Sequence, residues 1–129
     1  MPNKIVQFED FKLNRQLFNA IEEVGYKTPT PVQIKTIPPI LAGSDVIGIA
    51  QTGTGKTAAY LLPVLYKIKY AQGKNPRALI LAPTKELTIQ IFENLNTLST
   101  YCGTRQVCLY GGIGPKTQME EIDNGVDIL

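Results

Sequence analysis

Residues 46–57 read VIGIAQTGTGKT, a short apolar run that breaks into a glycine-rich turn and ends in Lys-Thr. The run is apolar throughout rather than alternating, which marks a strand buried on both faces. Gly53 and Gly55 let the backbone curl so that successive N–H groups converge. A helix-like stretch follows at about 56–71, so its positive N-terminus faces whatever the turn holds. Strand, turn and helix in this order describe a phosphate-binding loop, with Lys56 placed to reach β- and γ-phosphates and the Thr57 hydroxyl to hold Mg²⁺. Ala50 departs from the general pattern, which has glycine there.

Working outward, ALILA (78–82), QVCLY (106–110) and VDIL (126–129) repeat the apolar-run theme. Helix-like stretches at about 84–101 and 115–123 follow the first two. Apolar strands alternating with helices imply βαβ units, and so a parallel sheet flanked by helices. In such folds ligands gather at the carboxyl ends of the strands, where each of these turns lies. Upstream, Asn14 caps a helix whose apolar face is Leu17, Phe18, Ile21 and Val24 and which Gly25 ends. Thr30 caps a second, with Pro31 at its first position and Ile34, Ile37 and Leu41 inward; Pro38 and Pro39 are expected to bend or break it.

At 129 residues, 43% of them hydrophobic and 19% charged, the chain fits one ordinary globular domain. A net charge of +2 is too small to argue for nucleic acid, so any such contact must come from local arrangement. With no histidine, an imidazole base or a His-ligated metal is excluded within these residues. No apolar run has membrane length and no secretory signal follows Met1, so a cytoplasmic setting without a membrane partner is expected. Cys102 and Cys108 suit a reducing compartment; parity allows a disulfide, while free thiols near a core are the plainer expectation.

The segment GYKTPTPVQ (25–33) has two readings. Thr30 followed three residues later by Gln33 is a capping box, which local physics alone explains. A glutamine amide can also read adenine, accepting from N6 and donating to N7, which would select ATP over GTP.

Taken together, these segments resemble the N-terminal RecA-like domain of a DEAD-box RNA helicase. GYKTPTPVQ resembles the family's Q motif, and Phe8, 17 residues before Gly25, stands where the family has an isolated aromatic. AQTGTGKT (50–57) matches its motif I, in which alanine at the first position is normal. APTKEL (82–87) resembles motif Ia, Gly111-Gly112 the GG motif with Gln118 following, and VDIL the strand into motif Ib. The resemblance runs from Phe8 to Leu129 and divides the chain into a Q-motif region, 1–43, and a P-loop, Ia and GG region, 44–129.

The resemblance implies an ATP-dependent RNA helicase, an ATP hydrolase that unwinds short duplexes. It assigns Gln33 and Thr28 to adenine, with Phe8 and Tyr26 flanking the base. It assigns the loop residues Gln51, Thr52, Gly53, Thr54, Gly55, Lys56 and Thr57 to the ATP phosphates, with Lys56 and Thr57 catalytic and Thr57 on Mg²⁺. Pro83, Thr84, Lys85, Gly111 and Gly112 go to the RNA sugar–phosphate backbone, without reading sequence. From the residues alone, Thr84 is also a helix cap and Gly111-Gly112 a tight turn. Lys85 and Thr88 depart from the family's arginine and alanine; lysine keeps the charge and loses the planar fork.

No DEAD sequence stands among the 129 residues, and neither does a second RecA-like domain. These residues alone are therefore expected to bind ATP without hydrolysing it efficiently. In the family, later strands flank the one before the P-loop. Residues 46–50 are then expected to lack neighbours, leaving open edges that invite self-association. Glu120, Glu121, Asp123 and Asp127 read as helix surface and turn, and 69–77 as a solvated connection.

Overall fold

A computed structural model describes residues 5–129. A 3₁₀ turn, Phe8–Phe11, precedes five helices: α1 Arg15–Glu23, α2 Pro31–Leu41, α3 Lys56–Ile68, α4 Lys85–Leu98 and α5 Pro115–Asp123. Their starts follow local chemistry. Asn14 accepts from the Leu17 N–H at 3.0 Å, and Thr84 from the Leu87 N–H at 3.1 Å. The helix α3 ends where Lys69 takes a positive φ of 69°, three residues short of the sequence expectation.

Pro38 and Pro39 do not break α2, which runs through both to Leu41. Two amide donors are lost, but proline keeps its carbonyl. Pro38 accepts from Ala42 N–H at 3.0 Å and Pro39 from Ser44 N–H at 2.9 Å, closing the last turn. Packing also overrides propensity here, since α2 lies along α3 in the most extensive helix pair of the molecule. The core gathers at that pair and α1: Leu17 of α1, Ile37 of α2 and Leu61, Leu62 and Leu65 of α3 are fully buried, each contributing about 1.5–3 kcal/mol by burial.

The apolar runs behave differently. Residues 126–129 lie between 77–80 and 105–107 and pair parallel with both, through Ala78–Ile128 and Gln106–Ile128 bridges. The Ile80 N–H donates to Leu129 O at 2.8 Å and the Val107 N–H to Ile128 O at 3.1 Å. The topology is thus α/β with parallel pairing, although among the described residues the pairing is by isolated bridges rather than continuous ladders. Residues 46–50 join none of these segments, and Ile47 and Ile49 stand 92% and 94% exposed.

Asp127 corrects the sequence reading: it is not a turn residue on the surface but a fully buried carboxylate. Its Oδ1 accepts from Arg77 at 3.0 Å, Arg105 at 3.1 Å and the Gln72 N–H at 3.1 Å. Its Oδ2 accepts from the Arg105 backbone N–H at 2.9 Å and Arg105 Nε at 3.2 Å. Burial alone would raise this carboxyl, but the bonds from Arg105, Arg77 and Gln72 win and hold it well below the usual carboxylate range. The connection 69–77 is exposed along its whole length, as a solvated connection is, and is anchored as well, since Arg77 also donates to the Ile68 carbonyl at 2.9 Å.

Candidate functional site

Gly55 is the N-cap of α3 and sits at φ +86°, a left-handed conformation that favours glycine. A Cβ there would also collide with the Gln33 amide nitrogen. The turn is braced from within: Thr54 Oγ1 donates to Gln51 O at 2.6 Å, and the Lys56 ammonium donates to Ala50 O. Lys56 therefore lies back across its own loop, its charge held at the mouth of the turn.

Gln33 joins that loop to α2. The Thr30 N–H donates to Gln33 Oε1 at 3.0 Å, and the Gln33 N–H to Thr30 Oγ1 at 3.5 Å, so the capping box is formed. Gln33 Nε2 then donates to Gly55 O at 3.1 Å. An amide offers two donors and two acceptor lone pairs. These bonds use one of each, so one of each remains, on a side chain only 3% exposed.

Phe8 is buried, edge-on to Phe11 at 5.9 Å and stacked on Tyr26 at 6.3 Å with 18° between the rings. That spacing leaves no room for a base between Phe8 and Tyr26, because two stacked layers need roughly 7 Å. Tyr26, exposed on its other side, is the ring with a free face. Phe8, Tyr26, Thr28, Gln33, Thr52, Gly53, Gly55, Lys56 and Thr57 all line one cleft of about 880 Å³. Gln51 and Thr54 are not among the residues that line it; they bond to each other within the loop.

Sequence reasoning missed part of that wall. Leu87, Gln90 and Asn94 of α4 line the side facing the loop, and Tyr60 lies beside Thr57. The available signals were the i, i+4 spacing of Gln90 and Asn94 and the i, i+3 spacing of Thr57 and Tyr60. Burial pushes the Tyr60 phenol above its ordinary value, partly offset by its hydrogen bond with Thr57. Among the described residues, none that lines the cleft is acidic.

A second cluster lies at the other end of α4. Pro83, Thr84, Lys85, Gly111 and Gly112 are all exposed. The Lys85 ammonium lies 5.0 Å from the Tyr110 ring centroid, which brings the 83–85 and 110–112 segments side by side. So α4 starts in this cluster and also walls the cleft. Among the described residues no helix is long and apolar enough to cross a membrane.

Residues 30–129 match the DEAD/DEAH box helicase family. The chain is 39% identical to the probable ATP-dependent RNA helicase DDX46 of Homo sapiens, over 99% of this chain and 13% of that protein. It is 42% identical to the ATP-dependent RNA helicase RhlB of Pseudoalteromonas atlantica, over 95% of this chain and 30% of that protein. The crystal structure of the RNA helicase Prp28 from Chaetomium thermophilum bound to ADP superposes with a TM-score of 0.86 at 41% identity, covering 99% of this chain and 32% of that one. The chain thus spans a third or less of these proteins, and its fold is that of their RecA-like domain. With the phosphate loop, the Gln33 capping box and the 83–85 segment in their family order, the chain belongs to the DEAD/DEAH box helicases.

Proposed function

We propose that this chain binds ATP in the cleft and the RNA sugar–phosphate backbone along 83–85 and 111–112, as part of an RNA-dependent ATPase that unwinds short duplexes. The observation that carries the nucleotide reading is the Gln33 amide, fixed to Gly55 yet keeping one donor and one acceptor. Those are the two functions that an adenine edge requires. Lys56 exchanges its bond to Ala50 O for a phosphate, and the loop N–H groups at the start of α3 take the remaining anionic oxygens. Thr57 would offer its hydroxyl oxygen to Mg²⁺; among the described residues the cleft lining adds no carboxylate. When bound, that ion would neutralise developing phosphate charge.

RNA is gripped by backbone contacts at helix starts and an exposed glycine turn, which suits binding without sequence choice. The helix α4 supplies the physical route between the two ligands, because Thr84 caps it at the RNA side while Gln90 and Asn94 face the nucleotide. Residues 1–129 by themselves act as a binding unit in this reading, with slow turnover, as the described lining of the cleft has no acidic group to activate water. The exposed Ile47 and Ile49 favour self-association of this piece along 46–50, and the cytoplasm is its proposed setting.

Titration with a fluorescent ATP analogue tests the binding claim. Lys56→Ala is expected to weaken it at least about tenfold, the loss of a hydrogen bond to a charged group. Unchanged affinity would sink the phosphate-loop assignment. A phosphate-release assay on the 129 residues with RNA present should give turnover far below that of a full-length relative. Comparable turnover would overturn the binding-unit reading.

A further inference from the structure

Lys85 is exposed at the first position of α4, where a lysine ordinarily samples many rotamers. Here its ammonium is held 5.0 Å from the Tyr110 ring centroid. A ring face attracts the cation without neutralising it, so the outward N–H donors remain able to meet an anion. Tyr110 immediately precedes Gly111, and Gly112 sits at φ +93°. From α5, Gln118 Nε2 donates to Ile113 O at 3.1 Å and to Tyr110 O at 3.5 Å, and so spans the glycine turn. Gln118 is therefore a staple across the turn, and Tyr110 a post for the lysine. Ile113 is solvent-facing, and water would serve its carbonyl as well, so the staple adds little to stability. What it fixes is geometry: two segments distant in sequence present one charged head and one bare backbone turn at a set separation.

We propose that Tyr110 and Gln118 are positioning residues for RNA, holding Lys85 and the Gly111-Gly112 turn as one preorganised phosphate track. The proposal rests on reading Lys85 and the glycine turn as RNA-backbone contacts. It adds that their mutual placement, and not only their presence, sets affinity.

Fluorescence anisotropy of a labelled oligouridylate across a salt series tests both levels. Lys85→Ala should weaken binding and reduce the log–log salt slope by about 0.7, one single-strand phosphate contact. Tyr110→Leu should weaken binding about threefold, through loss of the cation–π contact, while Tyr110→Phe, which keeps the ring, restores it. Adding Tyr110→Leu to Lys85→Ala should cost nothing further, because the post then has nothing to hold. Gln118→Ala should weaken binding about twofold with the salt slope unchanged, and it tests the claim without touching the ring. Thermal unfolding of each variant checks that the fold persists. Wild-type affinity in both Tyr110→Leu and Gln118→Ala, with Lys85→Ala weakened, would overturn the positioning role and leave the RNA reading standing. A Tyr110→Leu loss that persists in full without Lys85, or that Tyr110→Phe fails to rescue, would also overturn it. Lys85→Ala binding like wild type would remove the underlying reading and the proposal together.

Discussion

Gln33 in the helical half and Asp127 in the strand half are both shut away from solvent, at 3% and 0% exposure. Gln33 is neutral, bonded mostly to its own turn, and half of its hydrogen-bonding capacity is left over. Asp127 is charged, receives five hydrogen bonds, and takes them from residues up to 55 positions away. One side chain keeps a donor and an acceptor to spare; the other is fully spent on tying 72–77, 105 and 127 together. A buried polar group with spare valence in a cleft points to function, and a saturated one points to architecture.

The contrast breaks most easily at Asp127. Asp127→Ala leaves Arg77 and Arg105 facing each other without their anion, and should destabilise the chain by about 3 kcal/mol. The cost is no larger because both arginines reach solvent. The urea midpoint measures it, and a loss under about 1 kcal/mol would mean the hub is incidental.

Acid gives the same comparison without mutation. Asp127 is held below its unfolded value of about 3.9, so its stabilisation is complete above that value and is lost as pH falls below it. Wild type should therefore lose stability steeply below about pH 4, and Asp127→Asn more gently. Parallel acid curves would place the sensitive carboxylate elsewhere.

Gln33→Ala should cost only about 1 kcal/mol of stability, the value of a cap, because Thr30 still caps α2. A loss as large as that of Asp127→Ala would erase the distinction. The smallest effect belongs to Tyr101, whose hydroxyl donates to Glu23 at 2.6 Å on the surface. Tyr101→Phe should leave the urea midpoint unchanged, as exposed pairs do.

The same contrast explains what could be read in advance. Asn14, Thr30 and Thr84 announce their helices because a cap and the backbone N–H that donates to it lie three residues apart. The phosphate loop is equally local, and its position between an apolar run and α3 was legible, as was the parallel pairing around 126–129. Asp127 was not, because its partners Arg77 and Arg105 stand 50 and 22 residues away and each looks like a surface charge in isolation. The α4 wall of the cleft was hidden for a similar reason: Gln90 and Asn94 meet the loop only once α3 and α4 pack. The path of α2 through Pro38 and Pro39 depended on its bed against α3, which no local rule contains.

The central claim is that Gln33 carries both the loop brace and the choice of base. Calorimetric titration of wild type and Gln33→Ala with ATP and with GTP tests it most directly. The expected result is tighter ATP than GTP binding in wild type, with the preference lost in Gln33→Ala by about 1–3 kcal/mol of discrimination. Equal affinity for the two nucleotides in wild type, or an ATP preference that survives Gln33→Ala intact, would contradict it.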